Sequence, residues 1–458
     1  MISKIRFTSV LCLAAGLLLC RLPPAICQSD RMTAAQSHLQ AGRVEQARKI
    51  LIEIVGQNPG QQSAQALLGQ IAFSRQQFGE AADYFAKAPA ILTGTPLLRV
   101  NYAEALLETR SAALAKGELS SLPANHGVAQ FEAGLLLARY GDFAGAERHF
   151  LAAKPHYPKP DVAAYNLALA QYSAGKLQEC SATLEEARKN GFGTADVLNL
   201  LGQSYAESEK NTLAVGVLKE ALRRYPKDER NYISFARILI DEDSTTEALD
   251  LIDRGLAVLP SSPPLRLQRG YLLMTLGRHK EAESDYRRLL ATSNESNSAR
   301  IGLAFVLIQS QRQELAATLL EEAIKNSPPD YFCHYLLAEI YIRQGLDDQA
   351  QRHLIRAESL QPQFAAVHSN LGKIYLRQGK LSDAINELET AIQLDPADTT
   401  AYYQLSIGYR KMGQALKAQQ ALASVRRLNE MERELGTSRF LTRKLKTFQN
   451  ALASSSPQ

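Results

Sequence analysis

The chain has 458 residues, 45% of them hydrophobic, no Trp, and a formal net charge of +5. Three of its 52 basic residues (Lys4, Arg6, Arg21) lie in the first 27 positions, which carry no acid, so 49 basic face 47 acidic residues in the remainder. That near balance excludes a global electrostatic footprint for nucleic acid. Beyond residue 27 only Cys180 and Cys333 remain, 153 positions apart, which excludes a disulfide framework or a thiolate metal centre.

Lys4 and Arg6 form a positive start, Phe7 to Cys20 is an uncharged, mostly apolar run, and Arg21, Pro23 and Pro24 break it. Ala25-Ile26-Cys27 then has the small-x-small form of a cleavage site, so residues 1–27 read as a secretory signal peptide before Gln28. The expected location is exported, periplasmic or secreted. As a helix the apolar run rises roughly 21 Å, short of the roughly 30 Å hydrocarbon core. A lipoprotein signal is the alternative at Cys20 or Cys27, although Leu19 and Ile26 stand where such signals resemble one another in having Gly, Ala or Ser. Membrane attachment is expected only if the signal is lipidated or uncleaved.

From Gln28 onward the sequence repeats with a period of 34. Repeats one to twelve start at residues 28, 62, 96, 127, 161, 195, 229, 263, 297, 331, 365 and 399 and close at Glu432; only the third is short, at 31 residues. The eighth place is always small (Ala35, Gly69, through Gly372 and Ser406), and the twentieth is Ala in every repeat except for Cys180. Small residues there let two antiparallel helices approach closely. The twenty-fourth place is large and apolar or aromatic, from Leu51 and Phe85 to Leu422, and supplies core volume. Gly recurs at the fifteenth place, as at Gly42 and Gly379, where a turn between two helices favours a residue without Cβ. Pro recurs at the thirty-second, as at Pro59 and Pro396, and ends the second helix.

The segment Asn370-Leu371-Gly372-Lys373-Ile374-Tyr375, with Gly379, Ala384 and the Leu394-Asp395-Pro396 ending, resembles a tetratricopeptide repeat. The resemblance covers about nine-tenths of the chain. It implies an all-α fold, a right-handed α–α superhelix (a TPR solenoid) of about twelve helix–turn–helix repeats in which each stacks on its neighbours. Two departures are expected to weaken or bend the stack. Repeat three lacks three residues and carries Arg110 in its turn, and repeat five ends in Gly191-Phe192-Gly193. Residues 433–458 read as a basic capping helix and a disordered tail, with Ser438 as a helix cap and Phe440, Leu441, Leu445 and Phe448 as one docking stripe.

The resemblance also implies that first helices line a concave groove. Its positions in repeats eight and nine are Leu267, Tyr271, Met274, Ile301, Phe305 and Ile308. In repeats ten to twelve they include Tyr335, Arg343, Lys373, Arg377, Tyr403, Arg410 and Lys411. An apolar floor passing into a basic, tyrosine-bearing stretch suits a peptide with an apolar anchor and an acidic flank. The alternative is that the apolar set packs first helix against first helix and the basic set is a solvated face. The carboxylate clamp of chaperone-binding members of the family is not matched. Asn370 offers the middle Asn, but Tyr335, Glu339, Thr400 and Gln404 stand where its other residues belong.

No chemistry-bearing motif emerges. Among eight His residues no pair has the spacing of a zinc-protease helix, and Cys333 and His334, adjacent on a helix, point about 100° apart. Asp241-Glu242-Asp243 lacks the ligand spacing of a calcium loop. The sequence therefore points to a non-enzymatic, cofactor-free exported scaffold or adaptor for a protein or peptide partner, with no nucleic acid. An accessory subunit of a polysaccharide synthesis, export or secretion complex is the alternative.

Overall fold

The computed structural model describes residues 30–292, 296–326 and 330–435. The signal at 1–27 and the docking stripe from Ser438 to Phe448 lie outside the described residues. No strand occurs among the described residues; two helices fall in each repeat, with a third in repeat two, and none is long and apolar enough to cross a membrane. The chain divides into two compact bodies, meeting between Ala221 and Leu222 inside the second helix of repeat six, Asn211–Arg224.

The repeating places explain why the helices pair. Every alanine at place twenty, and Cys180, is buried. Place twenty-four lies on place eight of its own repeat: a Cβ added to Gly69, Gly134 or Gly372 would sit 2.5–2.6 Å from Phe85, Phe150 or Leu388. Glycine there is thus a matter of close approach, matched by the volume of the residue that fills it. At place fifteen every repeat turns through positive φ. Seven glycines do so without a Cβ, while Gln76, Arg110, Glu209, Asp243 and Gln311 are held at 59–61°. Those five accept a conformation that costs L-residues roughly 1–2 kcal/mol.

Two further places join one repeat to the next. Place thirty-four caps the following first helix: Thr194, Ser262, Ser296, Asp330 and Asp398 each accept from backbone N–H groups two or three residues on. Each cap is worth about 1 kcal/mol. Place four, buried or half-buried, donates back to the carbonyl of the preceding place-thirty-two proline. Gln65 reaches Pro59 at 2.9 Å, Tyr232 reaches Pro226 at 3.1 Å, Arg266 reaches Pro260 at 2.7 Å and His368 reaches Pro362 at 2.8 Å. A carbonyl orphaned at a helix end is satisfied there by the next repeat.

The N-terminal body carries the irregular repeats. In repeat two the second helix, Phe78–Ala86, stops early because Pro89 drives Ala88 to φ −125° and lacks an N–H; a short extra helix, Pro89–Gly94, begins on that proline. Its Ile91 and Leu92 are buried. In repeat three the second helix spans only Ala112–Ser120, and Leu122 is buried beyond its end. Gly127 opens the next first helix so close to the chain that a Cβ would lie 2.4 Å from the His156 backbone. Aromatic rings fill this region: Phe131 stacks on Tyr157 with centroids 4.0 Å apart and tilts against Phe150 at 5.3 Å.

In the C-terminal body the second helix of repeat twelve, Ala415–Leu435, runs on past Glu432 without a break. Tyr286 is fully buried between Gly270 and Gly302, each of which would meet its ring at 2.5–2.7 Å if it carried a Cβ. Beside it Asp285, also buried, is paired with Arg266 at 3.2 Å and Arg269 at 2.6 Å.

Candidate functional site

In the C-terminal body the first helices of repeats eight to twelve are Pro263–Thr275, Asn297–Gln309, Tyr331–Gln344, Ala365–Arg377 and Thr399–Lys411. First helices touch between repeats eight and nine, nine and ten, and eleven and twelve. The contact consumes much of the expected apolar floor: Tyr271, Met274, Ile301 and Ile308 are buried at 2% exposure or less. Leu267 and Phe305 are half-exposed. The reason is spacing, since packed helices lie 8–10 Å apart and large apolar side chains fill that gap before any ligand can.

Repeats ten to twelve keep their polar face. Tyr335 is buried, stacks on Phe332, meets Phe364 edge-on at 4.9 Å and donates its hydroxyl to Glu339 at 2.8 Å. Arg377 pairs with Asp347 at 2.7 Å, and Lys411 donates to the Leu376 carbonyl at 3.3 Å. Arg343, Arg410 and Tyr403 are exposed. Lys373 differs from all of them. Half-buried, it makes no hydrogen bond or ion pair with any described residue. Burial first, then the charges of Arg377 and Arg343, hold its ammonium below the ordinary 10.5 against the opposite pull of Asp347 and Glu339. A cation in that state favours any acceptor that arrives.

Neither thiol is poised for chemistry. Cys180 and Cys333 are free and buried; burial pushes the Cys180 thiol up to about 12 and that of Cys333 higher still. Histidine is where sequence reasoning fell short. Places four and twenty-three face each other across the two helices of a repeat. They bring His334 Nδ1 to 3.0 Å from His353 Nδ1 in repeat ten, and His368 Nδ1 to 2.7 Å from Glu387 in repeat eleven. Glu358, on the second helix of repeat ten (Asp347–Leu360), lies 4.0 Å from the same His368 nitrogen. The signal that could have found them is a separation of 19 residues between titratable groups in a known repeat register.

Family models match several stretches of the chain. The model described as "Tetratricopeptide repeat" matches residues 32–96, 165–229 and 267–331; a second of that description matches 314–374, and one described as "TPR repeat" matches 372–413. The chain belongs to the tetratricopeptide repeat family. Among similar proteins is DnaJ homolog subfamily C member 3 of Rattus norvegicus, 26% identical over 181 residues, 35% of this chain and 36% of that protein. Its counterpart from Gallus gallus is 27% identical over 186 residues, 36% of this chain and 37% of that protein. The chain thus spans about a third of the length of the relatives it matches. A solved tetratricopeptide repeat protein from Parabacteroides merdae ATCC 43184 is 20% identical, with a TM-score of 0.45, covering 55% of this chain and 98% of that one. Repeats of this family serve as protein-interaction scaffolds, and that coarse function is this chain's.

Proposed function

We propose that the chain is an exported, non-catalytic scaffold that holds a protein or peptide partner on the first-helix face of repeats ten to twelve. The observation that carries the reading is Lys373, half-buried without an acceptor and flanked by Arg343 and Arg377. A carboxylate of the partner would relieve the mutual repulsion of these cations and stabilise the ammonium. Tyr403, exposed on the next first helix, offers an amphipathic ring for the partner's apolar anchor. Export follows from the signal reading of residues 1–27, and N-terminal sequencing of the secreted or periplasmic chain should begin at Gln28.

The test is fluorescence anisotropy with a labelled peptide that joins a run of Asp and Glu to a Leu-Phe anchor. The triple variant R343E/K373E/R377E should bind it at least 10-fold more weakly, with an unchanged helical circular dichroism spectrum. Wild-type binding should weaken with added salt, as half-exposed charges require. Equal affinity of the two proteins would remove this face as the working surface. Co-purification of a polymerising enzyme or a glycan with the exported chain would favour the accessory-subunit reading over a general adaptor.

A further inference from the structure

The place-four contact described above holds a proline carbonyl in four repeats, with Gln65, Tyr232, Arg266 and His368 as donors. His368 is different, because its Nε2–H on Pro362 leaves Nδ1 turned toward two carboxylates, Glu387 at 2.7 Å and Glu358 at 4.0 Å. One ligand atom from each of the three residues lies within 4.8 Å of the others. His368 is buried, and Glu358 and Glu387 are partly so. The Tyr375 phenol lies in the field of both glutamates, and Lys380 sits over its ring at 5.6 Å.

A nitrogen lone pair and two carboxylates converging on one point require a positive occupant. A proton on His368 is the simplest, and its imidazole is held above the ordinary 6.5, chiefly by the hydrogen bond to Glu387. The donor set equally suits a divalent metal. Zinc binds imidazole nitrogen and carboxylate oxygen at about 2.0–2.2 Å, so tetrahedral ligands sit about 3.3 Å apart. The observed spacings, from 2.7 Å to at most 4.8 Å, bracket that distance. Histidine ligands usually donate their second ring N–H to a carbonyl or carboxylate, which fixes tautomer and orientation; Pro362 already does this at 2.8 Å.

We infer that Glu358, His368 and Glu387 form a binding site for a divalent transition metal of the zinc class, completed by a water or by a group of a partner. Its ligands come from the second helix of repeat ten and both helices of repeat eleven, so the ion staples two repeats together. His368 shares its helix with Lys373 and Arg377, and an ion bound there fixes that helix against repeat ten. The inference does not depend on what the cationic face binds.

Zinc titration of the untagged, chelator-stripped full chain tests it, followed by calorimetry and by the proton released as the metal displaces it from His368. The expected result is one equivalent bound with proton release and a rise in Tm. In H368Q and in E387Q that equivalent should weaken at least 10-fold. Glutamine is a fair replacement at 368, since Gln65 makes the same carbonyl contact in repeat two; an unchanged circular dichroism spectrum shows that each variant is folded. A wild-type chain that takes up no zinc at mildly alkaline pH overturns the inference. So does retention of the full equivalent by folded H368Q and E387Q, which would place any zinc elsewhere.

Discussion

The two bodies solve the same packing problem with different materials. The N-terminal body carries the short third repeat and the interrupted second one, and its core is rich in rings: Phe85, Phe131 and Phe150 are fully buried, and Tyr157 stacks on Phe131. In the C-terminal body the repeats keep their full 34-residue period. Rings such as Tyr271 and Tyr286 are buried there too, but ionisable groups also enter its interior, as the Arg266–Asp285–Arg269 triad, the His334–His353 pair and the His368–Glu387 pair. The N-terminal body has smaller networks, Glu147 with Lys176 and Gln171, and His149 with Gln130 across the same two places. A regular backbone brings the same two places together again and again, so complementary polar partners can be set across them. An irregular one is better filled by large apolar side chains that need no directional partner.

Removing a ring should cost the N-terminal body most. Phe150→Ala opens a cavity against Gly134 and Phe131 and should lower stability by about 3–5 kcal/mol. Hydrogen exchange should confine the loss to that body. A smaller loss would mean that the neighbouring helices collapse onto the gap. In the C-terminal body the matching cut is Asp285→Ala, which strands two partly buried arginines and should cost about 3 kcal/mol. If denaturant melts find under 1 kcal/mol, water reaches those guanidinium groups and the contrast between the bodies shrinks.

Acid should weaken the C-terminal body more, since burial depresses a pair of histidines there against His149 in the N-terminal one. Burial holds His334 down at about 4, with His353 and Arg356 adding to it, and His353 is also held below 6.5. A base with a depressed folded-state value stabilises the fold fully above its unfolded value. That contribution fades as pH falls from about 6.5 toward 4, because the unfolded chain then binds protons that the folded one does not. His368 has the opposite sign: its raised value adds stability below 6.5 and loses it as pH climbs through the folded-state value. Tm against pH for wild type and H334Q should show the acid decline reduced in the variant. Parallel curves would remove the histidine pair as its source.

The smallest effect sharpens the common ground of the two bodies. Arg110→Gly in one and Gln311→Gly in the other relieve a left-handed turn residue and should each gain about 0.5–1 kcal/mol net of glycine's entropy cost. Equal gains would show that the turn is the same device in both. A loss in either, by thermal melt, would mean that the replaced side chain makes a contact of its own.

Much of this was legible in the sequence. Period, helix pairing, the close approach at places eight, twenty and twenty-four and the turn at fifteen all follow from residue size and backbone freedom. Those properties act within one repeat and recur in register. Place four escaped notice because its occupants, Gln, Tyr, Arg and His, share no size or charge; they share only a carbonyl to reach. The groove residues were located by register, but register could not say that Tyr271, Met274, Ile301 and Ile308 would be consumed by packing while Lys373 would be left without an acceptor.

The sequence by itself thus determined the repeat, its family and the helices, because local sterics and hydrophobic spacing decide them. Tertiary structure alone decided which charged groups meet. Glu358, His368 and Glu387 lie on three helices, and only the stacking of repeat eleven on repeat ten turns their separation along the chain into a few ångströms.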